Sequence, residues 1–405
     1  MKRLSKLLLA LFIACSITGC SQSTEVVDAT YEIYIAGYDW GCGVNKTILT
    51  LDKAVDDAYS CDKDGQKIDG ESKYIAIELY VSPNDGSPLL YSATTHYNTW
   101  SDPYYLNISL AKNGEITVDD KKVTKLDVST EYTKKITAAD ALELEKFKAS
   151  DGIELNYGHF NPKEPSNTLF VWLHGSGEGG TENTNPQVTS LSNKVSAYFN
   201  DDFQNAVGNA YVLVPQCPTF WMDADGNGGE WNDDLLVTHG PSYYTNALME
   251  LIKDYQSRCG ATKVVLAGCS AGGYMTMRLI LDYPDYFAAA IPICEALPDD
   301  VISDQQLSEI KDLPLYFIYS NDDPSIIPEK FEIPTINRLK NLGATNLHVA
   351  TFDSVIDTSG KYNDLNDGDP YQYNGHWSWI YFDNNEADCD EHGEKVWQWI
   401  GEQVK

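Results

Sequence analysis

Positive charge is scarce in this chain of 405 residues: 29 Lys and Arg stand against 60 Asp and Glu, for a net charge of −31. A field of that sign repels phosphate backbones, which argues against nucleic-acid binding but names no substrate. Long apolar runs are missing beyond the extreme N-terminus, and that excludes a polytopic membrane protein. No CxxC and no Cys/His spacing reads as a zinc site. Internal repeats and low-complexity tracts are also missing. What is present excludes disorder: 42% hydrophobic residues and 12% aromatics, with 26 Tyr and 9 Trp. The length exceeds one ordinary core and allows two or three domains.

The single apolar run lies from Leu7 to Ile17, behind Lys2, Arg3 and Lys6. It is too short to span a membrane comfortably and carries the positive flank of a secretory signal. Ile17-Thr18-Gly19-Cys20 then resembles a bacterial lipobox, with Ile where Leu is usual. The expectation is a signal over residues 1–20, lipid attachment at Cys20 and an exported, cell-surface protein; a plain cleaved signal is the alternative. Loss of residues 1–19 removes three positive charges and no acid, taking the net charge from −31 to −34. Of nine cysteines, Cys42, Cys61, Cys217, Cys259, Cys269, Cys294 and Cys389 follow the lipobox. Export permits disulfides, and an odd count leaves a free thiol. Cys42 and Cys61, the only two in the N-terminal part, are expected to pair.

Residues 21–29 read as a tether. Over 30–135, short alternating runs such as Tyr31–Ile35, Lys73–Val81 and Tyr104–Leu110 are split by turn signals, which predicts an all-β sandwich. A linker helix is expected in 136–151, because Leu142, Leu144 and Phe147 fall on one helical face. From 152 to 405 the texture changes. Continuous apolar runs at Leu169–Leu173, Tyr211–Val214, Val264–Ala267, Ala288–Ile293, Leu315–Tyr319 and Leu347–Phe352 alternate with helical patterns. The helical patterns are Tyr243–Tyr255, Ala271–Leu281, Ser303–Lys311, Glu329–Asn341 and Glu391–Gln403. This predicts an α/β domain, with a mostly parallel sheet covered on both faces and its chemistry at the strand C-termini.

Val264-Val265-Leu266-Ala267 leads into Gly268-Cys269-Ser270-Ala271-Gly272-Gly273 and a helix. That is G-x-S-x-G in the strand–turn–helix setting that gives it meaning. The tight turn lifts Ser270 above the sheet at a helix N-terminus, where the Ala271 N–H can face a developing oxyanion. Upstream, a strand ends in His174-Gly175-Ser176-Gly177-Glu178-Gly179-Gly180. Ser176 or Gly177 would supply a second oxyanion donor, and Ser176 is the choice. A phosphate loop is the rival for this stretch. It lacks the lysine such loops require, and Glu178 would repel phosphate.

A serine needs a histidine base, and that histidine needs a carboxylate. After Ser270 come His348, inside an apolar strand, His376, in a loop after the last strand, and His392, in an acidic helix start. His376 is the best base. The acid should end the strand Leu315–Tyr319, which points to Asp323 with Asp322 second.

Through LHGSGEGG, VPQCP, GCSAGG, SNDDP and GHWSW, residues 150–405 resemble the α/β-hydrolase superfamily. Within it they are most similar to secreted esterases related to polyhydroxybutyrate depolymerases, feruloyl esterases and prolyl-oligopeptidase-type enzymes. The N-terminal region resembles, less closely, the immunoglobulin-like domain ahead of some such esterases. The resemblance implies a serine carboxylesterase acting on small or polysaccharide-linked esters, with acetylated or feruloylated plant polysaccharide as the substrate class. A peptidase of the same superfamily and a non-catalytic surface binder are the alternatives. A region of about 100 residues is too small for the propeller of prolyl peptidases, which favours the esterase.

Asp223, Asp225, Asn227 and Gly226 match positions 1, 3, 5 and 6 of a calcium loop, with Asp234 at position 12. Glu230 stands where an apolar residue is usual, so a solvated acidic turn competes with this reading. No other cofactor is expected. Trp221, Trp231 and Trp377 are candidates for contact with an acyl group or sugar, against ordinary packing.

Overall fold

The computed structural model describes residues 25–57, 59–92, 98–100, 117–118, 121–129, 131–180, 187, 190–228, 242–364, 368–388 and 393–405. Chain contacts divide it into two compact units.

The first unit comprises residues up to 36, 42–88 and 100–138. Its described strands are β1 (Glu25–Tyr38), β2 (Gly41–Asp56), β3 (Ser60–Cys61), β4 (Glu71–Glu78), β7 (Thr117–Val118), β8 (Lys121–Val128) and β9 (Lys134–Thr137). They form one sheet ordered β3-β4-β2-β7-β8-β1-β9, in which β1 also pairs with β2. Along β1, Val27, Ala29, Tyr31, Ile33 and Ile35 are all buried while Val26 is exposed. That is the two-residue period of a strand with one covered face.

Cys42 and Cys61 are both buried and are not joined in the expected disulfide. The register gives the reason. Cys61 and Thr50 both pair with Tyr74 on β4, from opposite sides. Cys42 therefore lies eight residues further along β2, roughly 25 Å of strand away, with β4 between. A disulfide needs Cα atoms within about 7 Å.

The second unit gathers residues 37–41, 89–99 and 139–405. The tip of the β1–β2 hairpin, β5 (Leu89–Tyr91) and the start of β6 (Asn98–Trp100) therefore belong with it, although the sequence places them in the N-terminal region. Its eight-stranded sheet is built from β10 (Glu143–Lys148), β11 (Glu154–Phe160), β12 (Thr168–Leu173), β13 (Tyr211–Gln216), β14 (Lys263–Cys269), β15 (Ala289–Ile293), β16 (Leu315–Ser320) and β17 (Leu347–Phe352). The order is β10-β11-β13-β12-β14-β15-β16-β17. β10 and β11 are antiparallel, and the six strands from β13 to β17 are parallel.

Every residue of β12, β15 and β16 is buried, as continuous apolar runs require when helices cover both faces. The helices are α1 (Asp201–Ala206), α2 (Thr245–Cys259), α3 (Ala271–Asp282), α4 (Asp304–Ile310), α5 (Glu332–Asn341), α6 (Trp379–Asp383) and α7 (Val396–Gln403). Leu213, Leu266, Leu248, Ile252 and Met277 share one core. On Phe170 and Trp172 pack Phe203 and Phe382, at ring separations of 5.0 and 5.7 Å. Burial of each such ring contributes about 1.5–3 kcal/mol. Among the described residues, no helix is long and apolar enough to cross a membrane.

The expected linker helix is absent. Residues 143–148 form β10, paired over six positions with β11. Helix propensity of its Glu and Lys residues loses to the ladder offered by β11, and charges suit an edge strand. Leu142 is buried just before the strand, while Leu144 is 44% exposed.

Candidate active site

β14 ends at Cys269 and α3 begins at Ala271, so Ser270 alone makes the turn. Its φ is 55° and ψ −117°, a strained backbone for a non-glycine residue. Neighbouring side chains would not fit. A Cβ on Gly272 would lie 2.0 Å from the Leu173 carbonyl oxygen, and one on Gly268 would lie 2.5 Å from that of Gly272. The serine is half-buried, at the C-terminal edge of the fifth strand in the sheet. Cys269 beside it is fully buried, and burial pushes its thiol up, which leaves no thiolate to compete as nucleophile.

The histidine comes from a short 3-10 turn, Gly375–Trp377, whose first N–H groups are capped by Asn374. Asn374 Oδ1 accepts the His376 N–H at 3.0 Å. Gly375 lets this turn lie on the strand end opposite, since a Cβ there would sit 2.2 Å from Asp322 Oδ1. The Ser270 hydroxyl donates to His376 Nε2 at 2.9 Å, and His376 Nδ1–H donates to Asp323 Oδ2 at 2.7 Å. This tautomer is assigned from the network. Asp323 Oδ1 accepts the Ser325 and Ile326 N–H groups at 2.7 and 2.9 Å. Its side chain is 1% exposed and that of His376 14%. The three residues chosen from sequence are thus brought into one hydrogen-bonded line.

Asp322 takes another role: its Oδ1 accepts the Ser320 hydroxyl at 2.6 Å and caps the turn. His348 is half-buried on β17, its ring 5.6 Å from that of Tyr316. His392 lies outside the described residues.

The turn after β12 lies against the serine. A Cβ on Gly175 would be 3.8 Å from Ser270 Cβ and 3.2 Å from Glu178 Oε2. His174 fixes its start: Nε2 accepts the Cys217 N–H at 3.0 Å, and Nδ1–H donates to the Gly175 carbonyl at 2.6 Å. Complete burial holds this imidazole down at about 4, so it stays neutral. Ser176, whose hydroxyl is buried without a partner among the described residues, starts the 3-10 turn Ser176–Glu178. Ala271 is the first residue of α3, where backbone N–H groups have no intrahelical acceptor.

One sequence expectation is corrected here. Trp221 is fully buried, its ring 5.2 Å from His174 and 6.5 Å from Tyr244, so it supports the turn from beneath and meets no ligand. In the acidic loop the described residues are held together by Asp223. Asp223 is 3% exposed and accepts the N–H groups of Asp225, Gly226 and Gly228 together with the Thr219 hydroxyl. Its lone pairs are spent on the loop itself, and among the described residues no cluster could hold a metal ion. Trp231 and Asp234 lie outside the described residues, as does Cys20. Trp377 is half-buried beside His376, 6.1 Å from the Trp379 ring.

Millimolar calcium is accordingly expected to leave the melting temperature unchanged in scanning fluorimetry. Asp223→Ala should destabilise by about 1–3 kcal/mol, because four donors lose their acceptor. A calcium-dependent rise in melting temperature would restore the cation reading.

Among solved structures, a thermostable esterase aligns with 93% of this chain and 100% of its own, at 19% identity and a TM-score of 0.65. The chain has the α/β-hydrolase fold. Two looser likenesses carry no argument. A ferulic acid esterase is 10% identical, covers 65% of this chain and 98% of its own, and has a TM-score of 0.43. Pyrococcus horikoshii acylaminoacyl peptidase is 15% identical, covers 53% and 37%, and has a TM-score of 0.37. No family model and no curated protein matches the sequence.

Sequence reasoning missed Glu178 and Asn98 as parts of the site. Glu178 is 5% exposed, and its Oε1 accepts Asn98 Nδ2–H at 2.8 Å. The only signal was an acidic residue inside a glycine-rich turn, and its partner stands 80 positions earlier.

Proposed function

We propose that the protein is a serine carboxylesterase working through an acyl-enzyme. The reading rests on the Ser270–His376–Asp323 hydrogen-bond line at the strained turn. Ser270 Oγ attacks the ester carbonyl carbon while its proton passes to His376 Nε2. The carbonyl electrons move onto oxygen, which the Ala271 and Ser176 N–H groups receive. Collapse of that intermediate breaks the bond to the alkoxy oxygen, and His376 returns its proton to the departing alcohol. Water then attacks the acyl-enzyme, giving its proton to His376, and the acid leaves with Ser270 restored. Asp323 keeps the imidazole in the tautomer that can accept at Nε2. Trp377, half-buried beside His376, is taken to meet the acyl or alcohol part of the substrate. We take the all-β first unit as an immunoglobulin-like accessory domain, and small or polysaccharide-linked esters, acetyl or feruloyl among them, as the substrate class.

A panel of nitrophenyl esters, methyl ferulate, acetylated xylan and peptide amides tests this. Ester turnover well above amide turnover is expected, with a fluorophosphonate probe adding its mass at Ser270. Amide turnover without ester turnover would instead favour a peptidase, and no turnover and no labelling a binding protein.

Export and lipid attachment at Cys20 complete the reading. In a bacterial host, radiolabelled palmitate should enter the wild-type chain and not Cys20→Ala. Equal labelling, or none in either, would leave a plain signal.

A further inference from the structure

Glu178 is a carboxyl where a charge is hard to keep. It lies in the turn beside Ser270, 5% exposed, and its own element begins at the proposed oxyanion donor Ser176. Asn98 Nδ2–H donates to its Oε1 at 2.8 Å and reaches Ser192 Oγ at 3.1 Å. The Glu178 carbonyl accepts Gln216 Nε2–H at 3.0 Å. No Lys or Arg pairs with it among the described residues. The cavity it borders, with His174, Trp172 and Gln216, measures about 10 Å³. Such a space holds at most about one water, which cannot hydrate a carboxylate.

We propose that Glu178, clamped by Asn98, is a positioning residue that must remain an uncharged acid for the reaction to proceed. It builds on the esterase reading above. Uncharged, Glu178 braces the turn that presents Ser176. Ionised, it sets a negative charge close to Ser270, since a Cβ on Gly175 would lie 3.2 Å from Glu178 Oε2 and 3.8 Å from Ser270 Cβ, and opposes the negative charge developing on the substrate oxygen through a poorly screened medium. Burial outweighs the donors around it and raises this carboxyl to about 7. The titratable groups facing it do not change charge near neutrality. Tyr91 on β5 and Cys269 on β14 are pushed up by burial, and His174 is held at about 4. Glu178 alone of these gains charge between about pH 6 and 9.

The test is the pH profile of kcat/KM on a nitrophenyl ester, each variant scaled to its own value at pH 6. Wild type is expected to fall by about a hundredfold by pH 9, two units above the raised Glu178 value, as the charge appears. Glu178→Gln keeps the size and an oxygen that can accept from Asn98 but cannot ionise, and should fall less than about twofold. Asn98→Ala removes a donor that favours the ionised form, and should move the falling limb up by about one pH unit. The effect should lie in kcat rather than KM, since the oxyanion contact strengthens only in the transition state. A plateau to pH 9 in wild type, or the same fall in Glu178→Gln and Asn98→Ala, would overturn the proposal. If wild type turns over no ester at any pH, the esterase reading fails instead. The proton on Glu178 is then read from melting temperature: the gap between wild type and Glu178→Gln should change between pH 5 and 8, and a constant gap would refute the buried neutral acid by itself.

Discussion

Ser270→Ala is expected to lower kcat on a good ester substrate by a factor of about 10⁴ or more, leaving at most the residual rate that substrate positioning and oxyanion donors provide. The loss should not be repaired by pH, because no other nucleophile is available: Cys269 and Cys294 are buried thiols pushed up out of the thiolate range. Ser270→Gly should be as inactive, yet more stable than wild type by about 1 kcal/mol. Glycine adopts φ 55°, ψ −117° without the clash that a Cβ brings. A more stable, inactive Gly variant would show strain held at the turn for function. An equally active Ala variant would remove Ser270 from the mechanism.

The neighbouring aspartates give a sharper contrast. Asp323→Asn is nearly isosteric, yet its amide presents N–H groups where His376 Nδ1–H now donates. The imidazole would turn to the other tautomer, with its proton at Nε2 and nothing there to accept from Ser270, for a loss of about 10⁴ in kcat. Asp322→Asn touches only the Ser320 hydroxyl bond and should cost less than about tenfold. Equal losses at the two positions would mean that the turn, and not the carboxylate on the histidine, is what matters.

How legible this site was depends on the range of the forces involved. GCSAGG was readable because its constraint is local: strand, turn and helix are consecutive, and the glycines answer to backbone a few residues or one strand away. Asp323 and His376 were readable because chain order and strand ends restrict the choices. Leu142, Leu144 and Phe147 misled, because three apolar residues fit a helix face as well as an edge strand. Only the pairing of β10 with β11 decides between these. Trp221 misled for a related reason. Its position between Cys217 and the acidic loop gives no hint that its ring turns under His174 and away from the cleft. Glu178 and Asn98 were out of reach altogether, since what makes them matter is a contact across 80 residues.

Stability should fall as pH rises from about 5 to 8, and two glutamates behind the acid of the site should carry part of that slope. Glu295 follows β15 and Glu332 opens α5; both are fully buried. Glu295 Oε2 accepts the Leu297 N–H at 2.7 Å, and neither residue pairs with a Lys or Arg among the described residues. Burial, with Asp299 nearby, lifts Glu295 from 4.5 to about 8, and burial with Glu295 and Asp323 holds Glu332 well above its ordinary value. Raised folded values fix the sign. Between about 4.5 and 8 the native chain keeps a proton on Glu295 that the unfolded chain has released, so stability is greatest below 4.5 and is lost as pH climbs through 8. At 1.36 kcal/mol per unit the loss is on the order of several kcal/mol, against a total of about 5–15 for a native protein. In urea titrations, Glu295→Gln and Glu332→Gln should each flatten the curve of unfolding free energy against pH, and the pair together more than either. Each should gain on wild type at pH 8 while gaining nothing at pH 5. Activity need not follow, because the pair lies behind Asp323 and not on His376. Curves that run parallel to wild type across this range would mean that the two carboxyls are ionised in the folded chain and that the protein tolerates three neighbouring negative charges in its core.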